Sequence, residues 1–193
     1  MKYPLYRFVR NVTSFYIRVF YRIDYINKEN IPKTGPFILA GNHKNNLDFI
    51  AVMSSTKETI HFLAKKELLQ RFGILFKKIG AIAVDRSKKN KEAITEGENI
   101  LKNGGVIGIF PEGTFNKSEY IILPFKYGAV KMAIDTNAMI VPFAIVGEYK
   151  LFRKKIKIVF GKAYNIKEKS DLKSENIRLM NKVIKLLGSE DEK

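Results

Sequence analysis

The first part of the chain has the hydrophobic and polar spacing of an amphipathic helix. Residues 3–23 contain no glycine and, after Pro4, no proline. At about 100° per residue, one stripe roughly 120° wide collects the polar side chains Arg7, Arg10, Asn11, Ser14, Arg18 and Arg22. The rest of the helix surface is apolar and carries Leu5, Phe8, Val12, Phe15, Tyr16, Val19 and Phe20. The pattern predicts a helix with a wide apolar face beside a narrow cationic one.

This helix is expected to lie in a lipid interface, with arginine stems reaching phosphates and aromatic rings at headgroup level. A helix packed on the domain core is the alternative. The apolar face is wider than an ordinary surface helix needs, which favours the interfacial interpretation. We therefore predict a membrane-association segment over residues 1–30 and a globular domain over residues 31–188.

Beyond the loop of residues 31–36, short apolar runs alternate with longer amphipathic segments, which is typical of α/β proteins. Strands are predicted at Phe37–Ala40, Ile60–Ala64, Ala81–Val84, Val106–Phe110, Met139–Val146 and Ile156–Phe160. Helices are expected near residues 66–78, 91–102 and 127–136, and a last helix carries Ile177, Met180, Ile184 and Leu187 on one face. The predicted fold is α/β, with a mixed sheet flanked by helices and the amphipathic interfacial helix at its N-terminus.

Composition narrows the possible partners. With 193 residues, of which 46% are hydrophobic, the chain is large enough for a globular domain with a substantial core. The 35 Lys and Arg outnumber the 19 Asp and Glu and leave a net charge of +16. Such a charge favours an anionic partner, which can be nucleic acid, anionic lipid, or an acidic protein or cofactor. The charge does not choose among them.

Several kinds of site are excluded by residues that the chain lacks. The absence of cysteine excludes disulfides, thiolate nucleophiles and cysteine zinc sites, and two histidines, His43 and His61, argue against a histidine metal cluster. The sequence contains no run of about 18 apolar residues, so no transmembrane helix is predicted. Arg7, Arg10 and Arg18 also interrupt what would be the apolar core of a signal peptide.

The first candidate chemistry follows the first predicted strand, where α/β sheets usually bind ligands. His43 and Asp48 would lie about 140° apart on a helix, so they meet only if the chain turns between them. Asn45 and Asn46 permit such a turn. Asp48 would then fix the imidazole tautomer and leave the other ring nitrogen as a general base. By spacing alone, a loop histidine and a helix-capping aspartate are the commoner interpretation.

Two further segments follow predicted strands. Residues 110–114 read Phe-Pro-Glu-Gly-Thr, a loop whose backbone N–H groups could bind phosphate. Gly108 and Gly113 have the spacing of a Walker A loop, but Thr114 stands where that loop requires lysine. Arg86 follows another strand and offers a planar donor fork to a phosphate or carboxylate. A surface arginine after a buried strand is the alternative.

Taken in order, these segments resemble the glycerolipid acyltransferase family typified by bacterial 1-acylglycerol-3-phosphate acyltransferases. The match runs from about residue 32 to residue 146. Each block is weak evidence by itself, whereas four blocks in the family's order are specific. The His-x4-Asp block corresponds to His43 and Asp48, the Asp-Arg block to Asp85 and Arg86, the Phe-Pro-Glu-Gly-Thr block to residues 110–114, and the Val-Pro block to Val141 and Pro142.

The resemblance implies that residues 31–188 form an acyltransferase domain. It would transfer a fatty acyl group from acyl-CoA or acyl carrier protein to the sn-2 hydroxyl of 1-acylglycerol-3-phosphate, giving phosphatidic acid. His43 would be the base and Asp48 its partner. Substrate would be held by Asn42, Lys65, Arg86, Glu112, Gly113 and Thr114. For Lys65, a solvated lysine at a helix start is the alternative, and Glu112 could instead bind glycerol hydroxyls or orient a cation.

The same resemblance implies no metal and no cofactor besides the acyl donor. The expected partners are a lysophospholipid acceptor, the donor, and an anionic membrane surface bound through the N-terminal helix. No nucleic acid is expected. The expected location is the cytoplasmic face of a membrane, held peripherally or monotopically.

Two departures from the family pattern leave the acceptor open. Phe115 follows Thr114 where the family has arginine, so one phosphate contact is missing, and Lys117 or Lys126 could replace it only as a point charge. Ala83 stands where the family often has an aromatic residue, which could enlarge an acyl pocket. Other acceptors are glycerol 3-phosphate, another lysophospholipid or a hydroxyl compound without phosphate. A basic nucleic-acid-binding domain and a non-catalytic membrane scaffold are the rival hypotheses.

Overall fold

The apolar runs of the sequence form the strands of one sheet. The computed structural model describes residues 3–67, 73, 78–85, 90–152 and 156–189. Within these ranges the strands are β1 (Ile23–Ile26), β2 (Phe37–Gly41), β3 (Ile60–Lys65), β4 (Ile82–Val84), β5 (Val106–Ile109), β6 (Met139–Val146) and β7 (Ile156–Phe160). The helices are α1 (Pro4–Tyr21), α2 (Asp48–Met53), α3 (Lys91–Lys102), α4 (Gly128–Thr136) and α5 (Leu172–Gly188), and a 3-10 helix covers Lys28–Asn30.

The sheet is mixed and mostly parallel. Its spatial order is β1-β7-β6-β2-β5-β3-β4, and every neighbouring pair is parallel except β6 with β7. Both β2 and β5 are buried at every position, as expected for central strands covered on both faces. This confirms the predicted α/β fold with a mixed sheet. The carboxyl ends of β2, β5, β3 and β4 therefore lie side by side, where open α/β sheets bind ligands.

Alternate side chains of the strands supply two hydrophobic layers. In β2, Ile38 and Ala40 face one layer, whereas Phe37 and Leu39 face the other. Buried side chains of α3, α4 and α5 close the first layer, and those of α1 and α2 close the second. The sheet therefore lies between two layers of helices.

Most predicted elements are confirmed within one or two residues. The six predicted strands correspond to β2 through β7, and the helices predicted near residues 91–102 and 127–136 correspond to α3 and α4. The helix predicted near residues 66–78 falls largely outside the described residues. The buried positions of α5 are offset by one residue from the predicted stripe at three of four places, since they are Asn176, Leu179, Val183 and Leu187. The Asn176 amide faces inward because it donates to the Phe125 carbonyl oxygen.

The sequence pattern does not predict β1. Here α1 ends at Tyr21, the next residue, Arg22, adopts a left-handed φ of 48°, and Ile23–Ile26 then pairs in parallel with β7. Only Ile23 of these four residues is buried, so their alternation is too weak to be recognised. The segment of residues 1–30, expected to associate with a membrane, therefore also contributes a strand to the main sheet.

The N-terminal helix α1 has three sides instead of the two expected. Tyr6 and Ile17 are buried against the domain, and the Tyr6 hydroxyl accepts a 3.0 Å hydrogen bond from the Ile60 N–H. The exposed apolar side, 66% exposed at Phe8 and 71% at Phe15, also includes Val12, Tyr16 and Val19. The third side carries exposed arginines. The helix thus packs on the core and still presents apolar surface. In the described part of the chain, no helix is long and apolar enough to cross a membrane.

Candidate active site

Strand β2 brings His43 to the edge of the sheet. At its end, Gly41 lies so close to β6 that a Cβ would sit 2.3 Å from the Phe143 carbonyl oxygen. The Asn42 amide donates to the Ile145 carbonyl oxygen over 3.1 Å and accepts from the Ile145 N–H over 2.7 Å. Although Asn42 is predicted to bind substrate, the structure places both ends of its amide on β6. Asn42 thereby fixes the point where the chain leaves the sheet.

His43 and Asp48 form a buried pair, with 2.9 Å between His43 Nδ1 and Asp48 Oδ2. The chain makes the turn that the pair requires. The Asp48 N–H donates to the Asn45 carbonyl oxygen over 3.1 Å, and the Leu47 N–H donates to the Asn45 side-chain oxygen over 3.0 Å. Asp48 then begins α2. Because Nδ1 faces Asp48, Nε2 is the nitrogen that remains to accept a proton.

One oxygen of the Asp48 carboxylate is held by several donors. Besides the His43 ring, Oδ2 accepts from the Lys44 N–H over 2.6 Å and from the Asn45 N–H over 2.8 Å. The side chain is 0% exposed. These backbone N–H donors replace the water that burial removes from the carboxylate. The histidine therefore has a fixed anionic partner able to stabilise an imidazolium.

The loop after β5 encloses the imidazole. The Phe110 ring stacks on it with 4.0 Å between centroids and 11° between planes. Phe115 packs at 4.4 Å with a 54° tilt, and the Asn116 N–H donates to the His43 carbonyl oxygen over 3.0 Å. Phe115, where the related family has arginine, thus contacts the candidate base itself. The sequence singles out both residues but does not predict that their rings contact His43, because an aromatic residue beside a buried strand is normally part of the core.

Glu112 is predicted to hold the acceptor, and the structure places its carboxylate on the backbone of two loops. Oε1 accepts from the His43 N–H and Oε2 from the Leu123 N–H, each over 2.8 Å. Burial raises the pKa of Glu112, and the two backbone N–H groups partly oppose that rise. Together with Asn116, Glu112 holds both backbone groups of His43, which makes it a positioning residue for the imidazole.

The other predicted substrate-binding residues are Gly113, Thr114, Lys65 and Arg86. Gly113 has a φ of +71°, a backbone conformation that favours glycine, and it lies beneath the end of the flexible Lys126 side chain. Thr114 and Lys65 are exposed and line the same cleft as His43. Arg86 lies outside the described residues.

Two clefts meet at the dyad, and His43 and Phe110 line both. The cleft that we call the apolar cleft has a volume of about 580 Å³, and its walls include Tyr6, Phe49, Met53 and Ile60 together with Lys65 and Lys117. The cleft that we call the charged cleft has a volume of about 850 Å³ and carries Lys91, Lys126, Lys131, Glu98 and Asp135 on walls that are otherwise largely apolar. A base at the junction of an apolar and a charged cleft can act on a substrate pair that combines a long acyl chain with a charged group.

Tyr149 is a neighbour of Asp48 that the sequence does not indicate, because it lies outside the recognised blocks. Burial, and then the negative charge of Asp48, raise the pKa of Tyr149 well above its usual value, so the hydroxyl keeps its proton. Within the described residues, the Tyr149 hydroxyl and Asp48 Oδ1 are both buried without a formed hydrogen bond. Pairing these two neighbours would satisfy both buried groups.

We expect Tyr149→Phe to lower kcat about 10-fold, because the pairing of the Tyr149 hydroxyl with the Asp48 carboxylate would form a hydrogen bond to a charged group, which contributes roughly 1.5 kcal/mol. KM for both substrates should change less than about two-fold, since Tyr149 lines neither the apolar nor the charged cleft. Steady-state kinetics on the purified variant would measure both constants. Tyr164→Phe is the matched control, because its buried hydroxyl also lacks a partner among the described residues. Equal losses in the two variants would contradict a role for Tyr149 through Asp48.

Comparisons with known proteins show which family the chain resembles in sequence and fold. The acyltransferase family model matches residues 22–146. The 1-acyl-sn-glycerol-3-phosphate acyltransferase of Bacillus subtilis is 34% identical over 164 residues, 81% of each chain. The alpha form from Mus musculus is 29% identical over 140 residues, 69% of this chain and 48% of that protein. In fold, the crystal structure of the LPA acyltransferase PlsC from Thermotoga maritima matches 92% of this chain and 78% of that one, with a TM-score of 0.75 and 23% identity.

The sheet, the buried histidine–aspartate pair and the two clefts define an α/β enzyme with a candidate general base. The family match and the 34% identity then make the assignment specific. The chain belongs to the acyltransferase family, which confirms the resemblance found in the sequence. It is thus an enzyme, and the hypotheses of a nucleic-acid-binding domain and of a non-catalytic scaffold are set aside.

Proposed function

We propose that this chain transfers a fatty acyl group from acyl-CoA or acyl carrier protein to the sn-2 hydroxyl of 1-acylglycerol-3-phosphate. The product would be phosphatidic acid, for phospholipid biosynthesis. The observation that carries the proposal is the His43–Asp48 pair at the junction of the apolar and charged clefts. The acceptor named for the Bacillus and mouse relatives supports the same acceptor here.

In the proposed mechanism, His43 acts as general base. Its Nε2 takes the proton of the acceptor hydroxyl while the hydroxyl oxygen attacks the thioester carbonyl carbon. Asp48 stabilises the imidazolium that results. The tetrahedral intermediate expels the thiolate, which takes the proton back from the imidazolium, so one ester bond forms and one thioester bond breaks. Because the chain has no cysteine, no acyl group passes through an enzyme thiol.

We assign the acceptor phosphate to the charged cleft. Lys131 is paired with Asp135 at 2.6 Å, whereas Lys91 and Lys126 form no ion pair with any residue that the structure describes. Lys126 lies over Gly113 in the loop that encloses His43. Two lysines would thus supply charge in place of the family's arginine, without its bidentate geometry. The apolar cleft would hold an acyl chain.

We assign α1 to a membrane surface at the cytoplasmic face. Its exposed apolar side lies beside arginines, an arrangement that suits the headgroup region of a bilayer. The net charge of +16 would attract the protein to a leaflet that contains anionic lipid. Peripheral attachment would bring a lipid acceptor to the protein, and the same positive surface would attract the anionic donor.

An acceptor panel tests the proposed function. Purified protein would be incubated with each acyl donor and with one of four acceptors, namely 1-acylglycerol-3-phosphate, glycerol 3-phosphate, 1-acylglycerophosphocholine or monoacylglycerol. The products would be identified by mass spectrometry. We expect phosphatidic acid and an equal amount of free thiol. Monoacylglycerol is the matched control, because it has the hydroxyl and the chain but lacks the phosphate. A faster reaction with another acceptor would overturn the acceptor, and no thiol release with any acceptor would overturn the function.

A further inference from the structure

A second charged cavity lies away from His43. It has a volume of about 780 Å³ and is bordered by α1, the 3-10 helix, the loop before β2 and the loop after α2. We call it the cationic cleft, and its charged side chains are Arg10, Arg18, Lys28, Lys33 and Lys57. None of its lining residues belongs to either cleft at His43. It is therefore a separate site.

The cationic cleft has no internal countercharge. Among the residues that the structure describes, no carboxylate lines it, and none of its five cations forms an ion pair. The pKa of Lys28 is lowered by burial first and then by the positive charges of Arg18 and Lys57. These cations thus repel one another across the cleft, and an anion placed between them would remove the repulsion.

Two of the cations and the wall of the cleft are held in place. Arg10 Nη1 donates to the Lys57 carbonyl oxygen over 2.5 Å, and the Lys28 ammonium lies 5.5 Å from the centroid of the Tyr25 ring. The hydroxyls of Ser14 and Ser54, 2.7 Å apart, join α1 to the end of α2. A site whose donors are already positioned loses less entropy when a ligand binds.

The surroundings of the cleft indicate the chemistry of the ligand. Phe15 lines the cleft and also belongs to the exposed apolar side of α1. Apolar surface next to a cationic cavity complements a molecule with an anionic headgroup and hydrocarbon chains. A nucleic acid or an acidic protein would match the charges but would leave the apolar side without a partner.

We propose that the cationic cleft binds the phosphate headgroup of an anionic membrane phospholipid. This proposal rests on the membrane location in the proposed function, but it concerns a lipid that is not the substrate. The headgroup fixes the depth and rotation of α1 at the bilayer. Since α2 runs from Asp48 to the serine-lined wall of the cleft, a bound headgroup lies one short helix away from the dyad.

The test compares Lys28→Glu/Lys57→Glu with Lys162→Glu/Lys169→Glu, which changes the net charge equally at exposed lysines outside the cleft. Flotation would measure binding to phosphatidylcholine vesicles with and without phosphatidylglycerol. We expect the cleft variant to bind the anionic vesicles about 30-fold more weakly than the wild type, and the control variant to lose less than about three-fold. Inorganic phosphate at millimolar concentration should not displace the wild type, because it has no chains to contact the apolar side.

Three results would overturn the proposal. Equal losses in the two variants would show a general charge effect. Displacement of the wild type from vesicles by inorganic phosphate would show that the cleft is a site for free phosphate. If the cleft variant bound vesicles normally and lost turnover only with the acyl-carrier-protein donor, the cleft would be a docking site for that protein. Acyl transfer to a detergent-dispersed acceptor requires no membrane binding, so the cleft variant should retain wild-type turnover in that assay. This measurement separates the lipid-binding proposal from the proposed function. Vesicle binding is measured without any acyl transfer, so it stands even if the proposed acceptor is wrong.

Discussion

Replacing His43 with alanine should lower acyl transfer by a factor on the order of 10³ or more, because the general base is removed and the Asp48 charge then has no imidazolium to stabilise. The fold should persist. The His43 backbone is held by Glu112 and Asn116 independently of the ring, and the rings packed on the imidazole are those of Phe110 and Phe115, which do not belong to α1. Turnover would be measured as free thiol release, and vesicle binding should match that of the wild type.

The space that the ring leaves behind provides a second test of His43. In His43→Ala, the face of the Phe110 ring that stacked on the imidazole at 4.0 Å is uncovered, so a planar heterocycle can occupy the vacated position. Added imidazole should therefore restore part of the turnover. His61→Gln is the matched control, since His61 Nδ1 lies 2.7 Å from the Gly80 carbonyl oxygen and away from the dyad. Near-normal turnover in His43→Ala would remove His43 from the mechanism.

The sequence predicts the partners of the dyad but not how they are held. The spacing of His43 and Asp48 requires a turn, and the two asparagines between them make that turn recognisable in advance. The position of Glu112 is not recognisable. Its carboxylate accepts hydrogen bonds from the N–H groups of His43, 69 positions earlier in the chain, and Leu123, 11 positions later. Such contacts depend on which strands become neighbours in the fold. The resemblance to a family assigns Glu112 to the acceptor, whereas the geometry assigns it to the backbone.

The same limit explains what the sequence misses in the fold. Strands β2 and β5 are continuous apolar runs, so their burial is evident from composition. The strand β1 is half-buried and four residues long, and its pairing with β7 joins residues more than a hundred positions apart. The cationic cleft is hidden for the same reason. Its five cations come from four segments, each of which alone is an ordinary solvated surface.

Replacing Asp48 with asparagine should lower kcat by a factor on the order of 10³ to 10⁴, comparable to the loss known for the aspartate of a protease triad. Asparagine has nearly the same size, so the packing of a fully buried side chain is kept. If the asparagine amide places its oxygen where Oδ2 lies in Asp48, that oxygen can still accept the hydrogen bonds from the Lys44 and Asn45 N–H groups. What is lost is the negative charge that stabilises the imidazolium.

The division between kcat and KM decides whether that charge acts in catalysis. Asp48 lines neither the apolar nor the charged cleft, so KM for donor and acceptor should stay within about three-fold. Asp135→Asn is the matched control, because it removes a carboxylate that does line the charged cleft and pairs with Lys131. Its main effect should be on KM. If Asp48→Asn kept more than about a tenth of kcat, or raised KM alone, the carboxylate would serve the turn that carries His43 instead of the proton transfer.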